Sequence, residues 1–295
     1  MRQQKYERLN FWQQKNIVNN LFSQIISASR RTDIPSFFAD WFMKKIRAGY
    51  VDVKNPYNAK QVRRVSLLPK DVAAVVFWTR DFSPMLKYID ELNERGYKYT
   101  ILWTITGYPR IYEPAGPALQ YSIDALKKTS EKIGAERIVW RYDPIIIDNT
   151  LTPEWHIKNF KNIARQISRH ISHIIISIMT PYNFVLKRMR RRGIFVKNDP
   201  LSEPEVEKMF FELHRITKRL GISKIQSCCQ NNILLPFGIG DGACIDAKWL
   251  SRALNVNITY QKDAGQRKNC LCTKSVDIGE YNTCPRKCIY CYAVK

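Results

Sequence analysis

The chain has 295 residues, and its 45% apolar and 12% aromatic content is enough to bury a core, which excludes a disordered polymer. Lys and Arg number 48 against 26 Asp and Glu, a formal charge of +22 that favours anionic partners. No apolar run approaches the ~20 residues of a membrane span, and the leading MRQQKYERLNFWQQKNIVNN lacks the apolar stretch of a signal peptide, so the expected setting is cytoplasmic with no membrane partner.

In chain order, residues 1–24 read as an extension too short to need a fold of its own. From there to residue 228, short β-branched runs alternate with amphipathic stretches. The strand candidates are 24–29, 72–79, 99–106, 137–142, 173–179 and 223–228. Several are nearly continuous apolar runs, such as VAAVVFW and IIISIM, as parallel strands covered on both faces must be. The segment 50–68 interrupts the alternation and is expected to form a hairpin or loop of its own. Between the strands, Leu119, Ile123, Leu126 and Ile133 recur at helical spacing, as do Phe160, Ile163, Ala164 and Ile167, and later Val206, Met209, Phe210, Leu213, Ile216 and Leu220. Pro84, Pro117, Pro153 and Pro204 stand near predicted helix starts, where a missing N–H costs nothing. Six β-α units predict an α/β fold, an incomplete six-unit (β/α) barrel of the TIM type over 25–228. A cysteine-rich segment, 229–295, would then close its strand-end face.

Chemistry in parallel α/β folds sits where strands end. Here the first strand runs into Ser29, Arg30, Arg31, Thr32 and Asp33. The second ends at Trp78, Thr79, Arg80 and Asp81, the third at Thr106 and Gly107, and the fourth at Arg141, Tyr142 and Asp143. Arg30, Arg31, Asp33, Arg141 and Asp143 are the candidate catalytic residues of this rim.

All eight cysteines lie at or beyond Cys228. Clustered cysteines in a reducing compartment hold metal more often than they form disulfides. Cys284, Cys288 and Cys291 have C-x3-C-x2-C spacing, with Tyr290 just before the third. Three thiolates so close can hold three irons of a four-iron cluster and leave the fourth open to a small chelating molecule. Cys228, Cys244, Cys270 and Cys272, with Cys229 as a spare, suggest a second site for an iron–sulfur cluster or zinc. Zinc shared between Cys288/Cys291 and Cys270/Cys272 is the competing arrangement.

The motif CPRKCIYCYA resembles the signature of the radical S-adenosylmethionine enzymes, in the version found in spore photoproduct lyase. The resemblance implies a [4Fe–4S] cluster on Cys284, Cys288 and Cys291 and S-adenosylmethionine on its open iron. It also implies Tyr290 near the adenine and an electron donor such as flavodoxin or ferredoxin. The reaction implied is reductive cleavage to a 5′-deoxyadenosyl radical, followed by hydrogen abstraction from a substrate. That superfamily carries its cysteines after the first strand, so their C-terminal place here implies a circular permutation, which needs only neighbouring termini. The nearest match to its glycine-rich loop is Thr106-Gly107-Tyr108, so Thr106 and Gly107 are candidate cofactor contacts. The segments SASRRTDIP, NPYNAKQVRRVSLLP, VVFWTR, WRYDPI, GACID and DIGEYNTC resemble an uncharacterised bacterial domain family with a C-terminal cysteine cluster of this type.

The densest basic run, 187–192, has five cations in six positions. It suggests nucleic acid or an anionic small molecule as substrate. Repair or modification of DNA or RNA, by the photoproduct-lyase resemblance, is one alternative. A non-enzymatic, zinc-stapled, basic nucleic-acid-binding module is another. No GxSxG, HExxH or P-loop pattern supports hydrolase or nucleotidase chemistry.

Overall fold

The run VAAVVFWT, strand β4 (Val72–Thr79), is buried at every position, as a central parallel strand covered on both faces must be. The structure, a computed structural model, describes residues 23–197 and 199–294, so the expected extension 1–24 falls almost wholly outside it. All six expected strands are present: β1 (Gln24–Ala28), β4, β5 (Tyr99–Thr104), β6 (Ile138–Ile145), β7 (His173–Ile178) and β8 (Ile225–Cys228). The segment 50–68 forms the expected antiparallel hairpin, β2 (Tyr50–Asn55) with β3 (Asn58–Ser66). The main sheet, however, has eight strands rather than six. It curls as a half-barrel in the order β10-β1-β4-β5-β6-β7-β8-β9, with every pairing parallel.

The two additional strands, β9 (Asp241–Gly242) and β10 (Val276–Asp277), come from the cysteine-rich segment and extend the sheet at opposite edges. The cysteine-rich segment therefore supplies two edge pairings of the sheet, through residues 241–242 and 276–277. Because β10 runs parallel to β1, with Ile26 opposite Val276 and Ser27 opposite Asp277, the chain leaving β10 emerges at the strand-end rim.

The helices that pack on this sheet are amphipathic for the reasons the sequence suggests. In α1 (Ile34–Phe37), α2 (Ala39–Ala48), α3 (Ile89–Glu94), α4 (Leu119–Ile133), α5 (Pro153–Ile167), α6 (Asn183–Arg190) and α7 (Pro204–Arg219), the apolar stripes are the buried positions. Pro153 and Pro204 take the first helical position. Alternation along the strands sends Val75, Phe77, Ile101, Trp103, Ile138, Trp140, Ile174 and Ile176 into the larger core with these helices. The opposite face, with Ile25, Ala74, Val76, Trp78, Leu102, Val139 and Ile175, is covered by α8 (Ala247–Leu254) together with Cys244, Cys270 and Cys272. His156 is a core residue here, bonded to Tyr142 Oη and Ile146 O at 2.8 Å each; burial pushes its pKa down to about 4, so it stays neutral. Among the described residues no helix is long and apolar enough to cross a membrane.

Candidate metal centre at the strand-end rim

The segment carrying Cys284, Cys288 and Cys291 is fastened to the rim by three arginines, each from a different part of the chain. Arg286 lies inside the motif. It reaches Asp33 Oδ2 at 3.3 Å, Ser36 Oγ at 2.8 Å and Ala115 O at 2.9 Å, with its guanidinium 4.7 Å from the Phe37 ring centre. Arg80, at the end of β4, pairs with Glu113 Oε2 at 2.8 Å and donates to Thr106 Oγ1 at 3.2 Å and to the Tyr290 hydroxyl. Tyr290 in turn donates to Glu113, as does Thr106 at 2.5 Å. Arg188 of α6 donates to Ile289 O at 2.6 Å and to the carbonyls of Cys291 and Val294. Ile289 N adds a bond to Tyr112 O at 3.0 Å. Carbonyls that no helix or strand would satisfy thus find charged donors, which hold more strongly than neutral ones.

Burial pushes the Cys288 thiol up to about 12, and Glu113 and the other two cysteines add to this while Arg80 opposes it. Burial likewise raises Cys291. A metal bound here would have to displace thiol protons, so loading releases acid. Burial works against the charge of Arg80, but Glu113 and the Tyr290 and Cys288 side chains outweigh it and keep the guanidinium protonated.

A second group of thiols lies on the inner face. Cys244 Sγ is 3.2 Å from Cys228 Sγ, and it also bonds Cys272, which bonds Cys270. Cys272 further accepts the Ile245 amide at 3.4 Å. The donations from Cys244 and Cys270 hold the Cys272 thiol well below the usual range. Of the neighbouring pair at the end of β8, Cys228 is the one that contacts Cys244. All eight cysteines are unpaired by disulfides.

Trp78 packs in the same cluster as Cys244, Cys270 and Cys272, with the guanidinium of Arg30 5.0 Å and that of Arg141 4.8 Å from its ring centre. Arg30 Nη1 donates to Ser275 at 3.1 Å, and Arg141 to Thr104 at 3.5 Å and to Asp143. Asp143 also accepts the Ser177 hydroxyl. Arg30 Nη2, Arg141 Nε and Trp78 Nε1 are buried and have no acceptor among the described residues. Among the described residues, no three or more His, Cys, Asp or Glu side chains form a group that could hold a single metal ion as they stand.

The other expected rim residues have structural work. Asp33 caps α1 through Ser36 N at 3.2 Å and accepts Thr79 Oγ1, Arg80 N and Arg286. Arg31 donates to Gly279 O at 3.3 Å and stacks 4.9 Å over Tyr281. Gly107 adopts φ +66°, and a Cβ there would meet Asn159 Oδ1 at 2.7 Å, so its glycine is required by packing against α5. Glu113, Arg188 and Tyr292 were not singled out by the sequence, and Trp78 and Arg80 were named at a strand end but not chosen as site candidates; Glu113 gives no local signal.

The family model described as a domain of unknown function (DUF1848) matches residues 25–293. No curated protein and no solved structure matches the chain.

Proposed function

Given that the chain belongs to the DUF1848 domain family, we propose from its own residues that it is a radical S-adenosylmethionine-type iron–sulfur enzyme. The observation that carries this reading is the docking of the C-x3-C-x2-C segment on the strand-end rim, where β10 delivers it and three arginines hold it. The donor set fits a cluster: Cys284, Cys288 and Cys291 are neighbouring free thiols, and a cluster takes each thiolate on a separate iron. A bound [4Fe–4S] cluster would supply the electron that cleaves S-adenosylmethionine to a 5′-deoxyadenosyl radical. The chain's part is to hold the three thiolates, exclude water and orient the substrate. Ile289 and Tyr290 pack with Tyr108, Tyr112 and Ile146, which keeps water from the inner side of the segment. Arg30 and Arg141 are disposed to receive an anionic group. Under this reading β1, β4, β5, β6, β7 and β8 are the six units of an incomplete barrel, entered from the C-terminal rather than the N-terminal side. The electron comes from a reduced flavodoxin or ferredoxin, and free thiols fit a cytoplasmic setting.

The test is anaerobic reconstitution followed by EPR of the dithionite-reduced protein, with and without S-adenosylmethionine. A reduced four-iron signal that changes when the cofactor is added is the expected result. A signal indifferent to it ends the reading. Stoichiometric zinc without iron would instead favour a zinc-stapled binding module.

A specific surface favours a nucleic-acid substrate. Helix α6 and the turn after it expose Lys187, Arg190 and Arg191 around a shallow hollow of about 640 Å³. Beside it, exposed Tyr182 stacks on Phe184 with ring centres 5.8 Å apart, and Tyr292 lies 6.3 Å from Tyr182. Basic side chains interleaved with exposed rings suit a single strand, whose bases stack while its phosphates meet the cations. Tyr292 adjoins Cys291, so a strand bound here would pass the rim. Anisotropy of a labelled single-stranded oligonucleotide should then show affinity falling steeply with salt. Changing Lys187, Arg190 and Arg191 together to Ala should reduce the log–log slope by about 2, at ~0.7 per lost phosphate contact. Weak, salt-indifferent binding would move the substrate to the small anionic class.

A further inference from the structure

The inner thiols are packed sulfur against sulfur rather than around a common centre. Cys228, at the end of β8, has its Sγ 3.2 Å from that of Cys244, which comes from just beyond β9. Both are free thiols, and among the described residues no three His, Cys, Asp or Glu side chains form a group that could hold a metal ion. Two thiols in direct contact, with no metal group around them, are placed for a bond between their sulfurs. A disulfide holds its sulfurs about 2.05 Å apart, so this contact closes with a shift of roughly 1 Å.

The backbone around the pair is already fixed. Cys228 stands opposite Gly242 in the parallel register of β8 and β9, and Cys244 follows two positions later. Gln226 Nε2 donates to Ala243 O at 3.2 Å and Thr273 N to Ile245 O at 2.9 Å, so both neighbours of Cys244 are held. Exposure separates the two sulfurs. Cys228 is half-buried, whereas Cys244 is only 3% exposed. A solvent-borne oxidant therefore meets Cys228 first, with Cys244 behind it, the arrangement of an attacking and a resolving cysteine. Cys229 is half-buried too, but Cys228 is the one that contacts Cys244. The chain between them turns through Cys229, Asn231 and Asn232, all at positive φ, before the two-residue strand β9. An edge strand so short is held by few bonds of its own.

We propose that Cys228 and Cys244 form a reversible disulfide, made and broken by exchange with a small disulfide such as oxidised glutathione, which staples β9 to the end of β8. Cys228 Sγ attacks one sulfur of the small disulfide, whose S–S bond breaks and releases one small thiol. Cys244 Sγ then attacks Cys228 Sγ, the mixed disulfide breaks, and the second small thiol leaves. The two cysteines lose two electrons and two protons, and the small disulfide takes up both to become two thiols. Excess small thiol runs the sequence backwards. In a reducing compartment such a bond reports redox state rather than serving as a permanent staple. The proposal does not depend on the rim segment binding anything.

The full chain is treated anaerobically with oxidised glutathione, quenched with acid and alkylated, and its remaining thiols are counted. The triple variant Cys284→Ser/Cys288→Ser/Cys291→Ser keeps the rim out of the count. Its five thiols should fall to three, its mass should drop by two hydrogens, and dithiothreitol should restore all five. Peptide mapping of both this variant and the parent should join Cys228 to Cys244. Adding Cys244→Ser should stop the reaction halfway, leaving one glutathione on Cys228. Hydrogen exchange at the Ser227 amide, which bonds Gly240 O at 2.9 Å, should slow in the oxidised protein and recover on reduction. Five thiols that persist, a bond mapped to another pair, or a Cys244→Ser variant without the adduct overturns the proposal. A Ser227 amide that exchanges equally fast in both forms dismisses the staple.

Discussion

Replacing Cys284, Cys288 or Cys291 singly by serine is expected to reduce formation of 5′-deoxyadenosine to the level of a protein-free control. The serine hydroxyl is close to the thiol in size but is not ionised at neutral pH, so the segment keeps its shape while one iron loses its anchor. The fastening contacts come from Arg80, Arg188 and Arg286 and go to side chains and carbonyls, with no thiol among them. The far-ultraviolet circular dichroism and the unfolding midpoint of the metal-free variants should therefore match those of the metal-free parent. Nucleoside formation is measured by chromatography under dithionite or a reduced flavodoxin. Any of the three variants that still forms the nucleoside at the parent rate removes that cysteine from the centre.

The second large effect is structural. Arg80→Met should cost about 3–5 kcal/mol, because Glu113 would be left as an unpaired carboxylate in a buried position. Tyr290 and Thr106 would still donate to Glu113, but neither carries charge. The loss should be felt first by the rim segment, so hydrogen exchange at the Ile289 amide should accelerate before exchange in β4 or β5 does. Neutralising the partner as well, in Arg80→Met/Glu113→Gln, should recover a large part of the loss. Denaturant titration of the parent, the single variants and the double variant closes the cycle. If Arg80→Met costs less than about 1 kcal/mol, the pair behaves as an exposed salt bridge and does not fasten the segment.

The six long strands were legible because a parallel strand buried on both faces leaves an unbroken apolar run, and β4, β5 and β7 each carry one. The hairpin was legible from the interruption it makes in the β-α alternation. Strands β9 and β10 were not, since two residues have no periodicity and both pair with strands far away in sequence. The candidate site divides in the same way. The cysteine motif was local and could be read, whereas Asp33, expected as a rim catalyst, caps a helix and fastens Arg80 and Arg286 from opposite ends of the chain. Arg188 was hidden in a basic run that suggested a nucleic acid or an anionic small molecule. Its place between Val185 and Met189, on the buried side of α6, was the available hint. Gly107 has a reason that lies 52 positions further on, in Asn159, and no reading of neighbours could reach it.

The parallel pairing of β10 with β1 has a consequence for how the protein is made. Synthesis proceeds from the N-terminus, so β1 through β8 leave the ribosome well before residues 276 and 277 exist. Until then the outer edge of β1 has no neighbour on that side, and an uncovered edge is an invitation to pair with another chain. Residues 276 and 277 close that edge, and Cys284, Cys288 and Cys291 follow them in the chain, so in order of synthesis the edge strand is available before any cysteine of the rim segment.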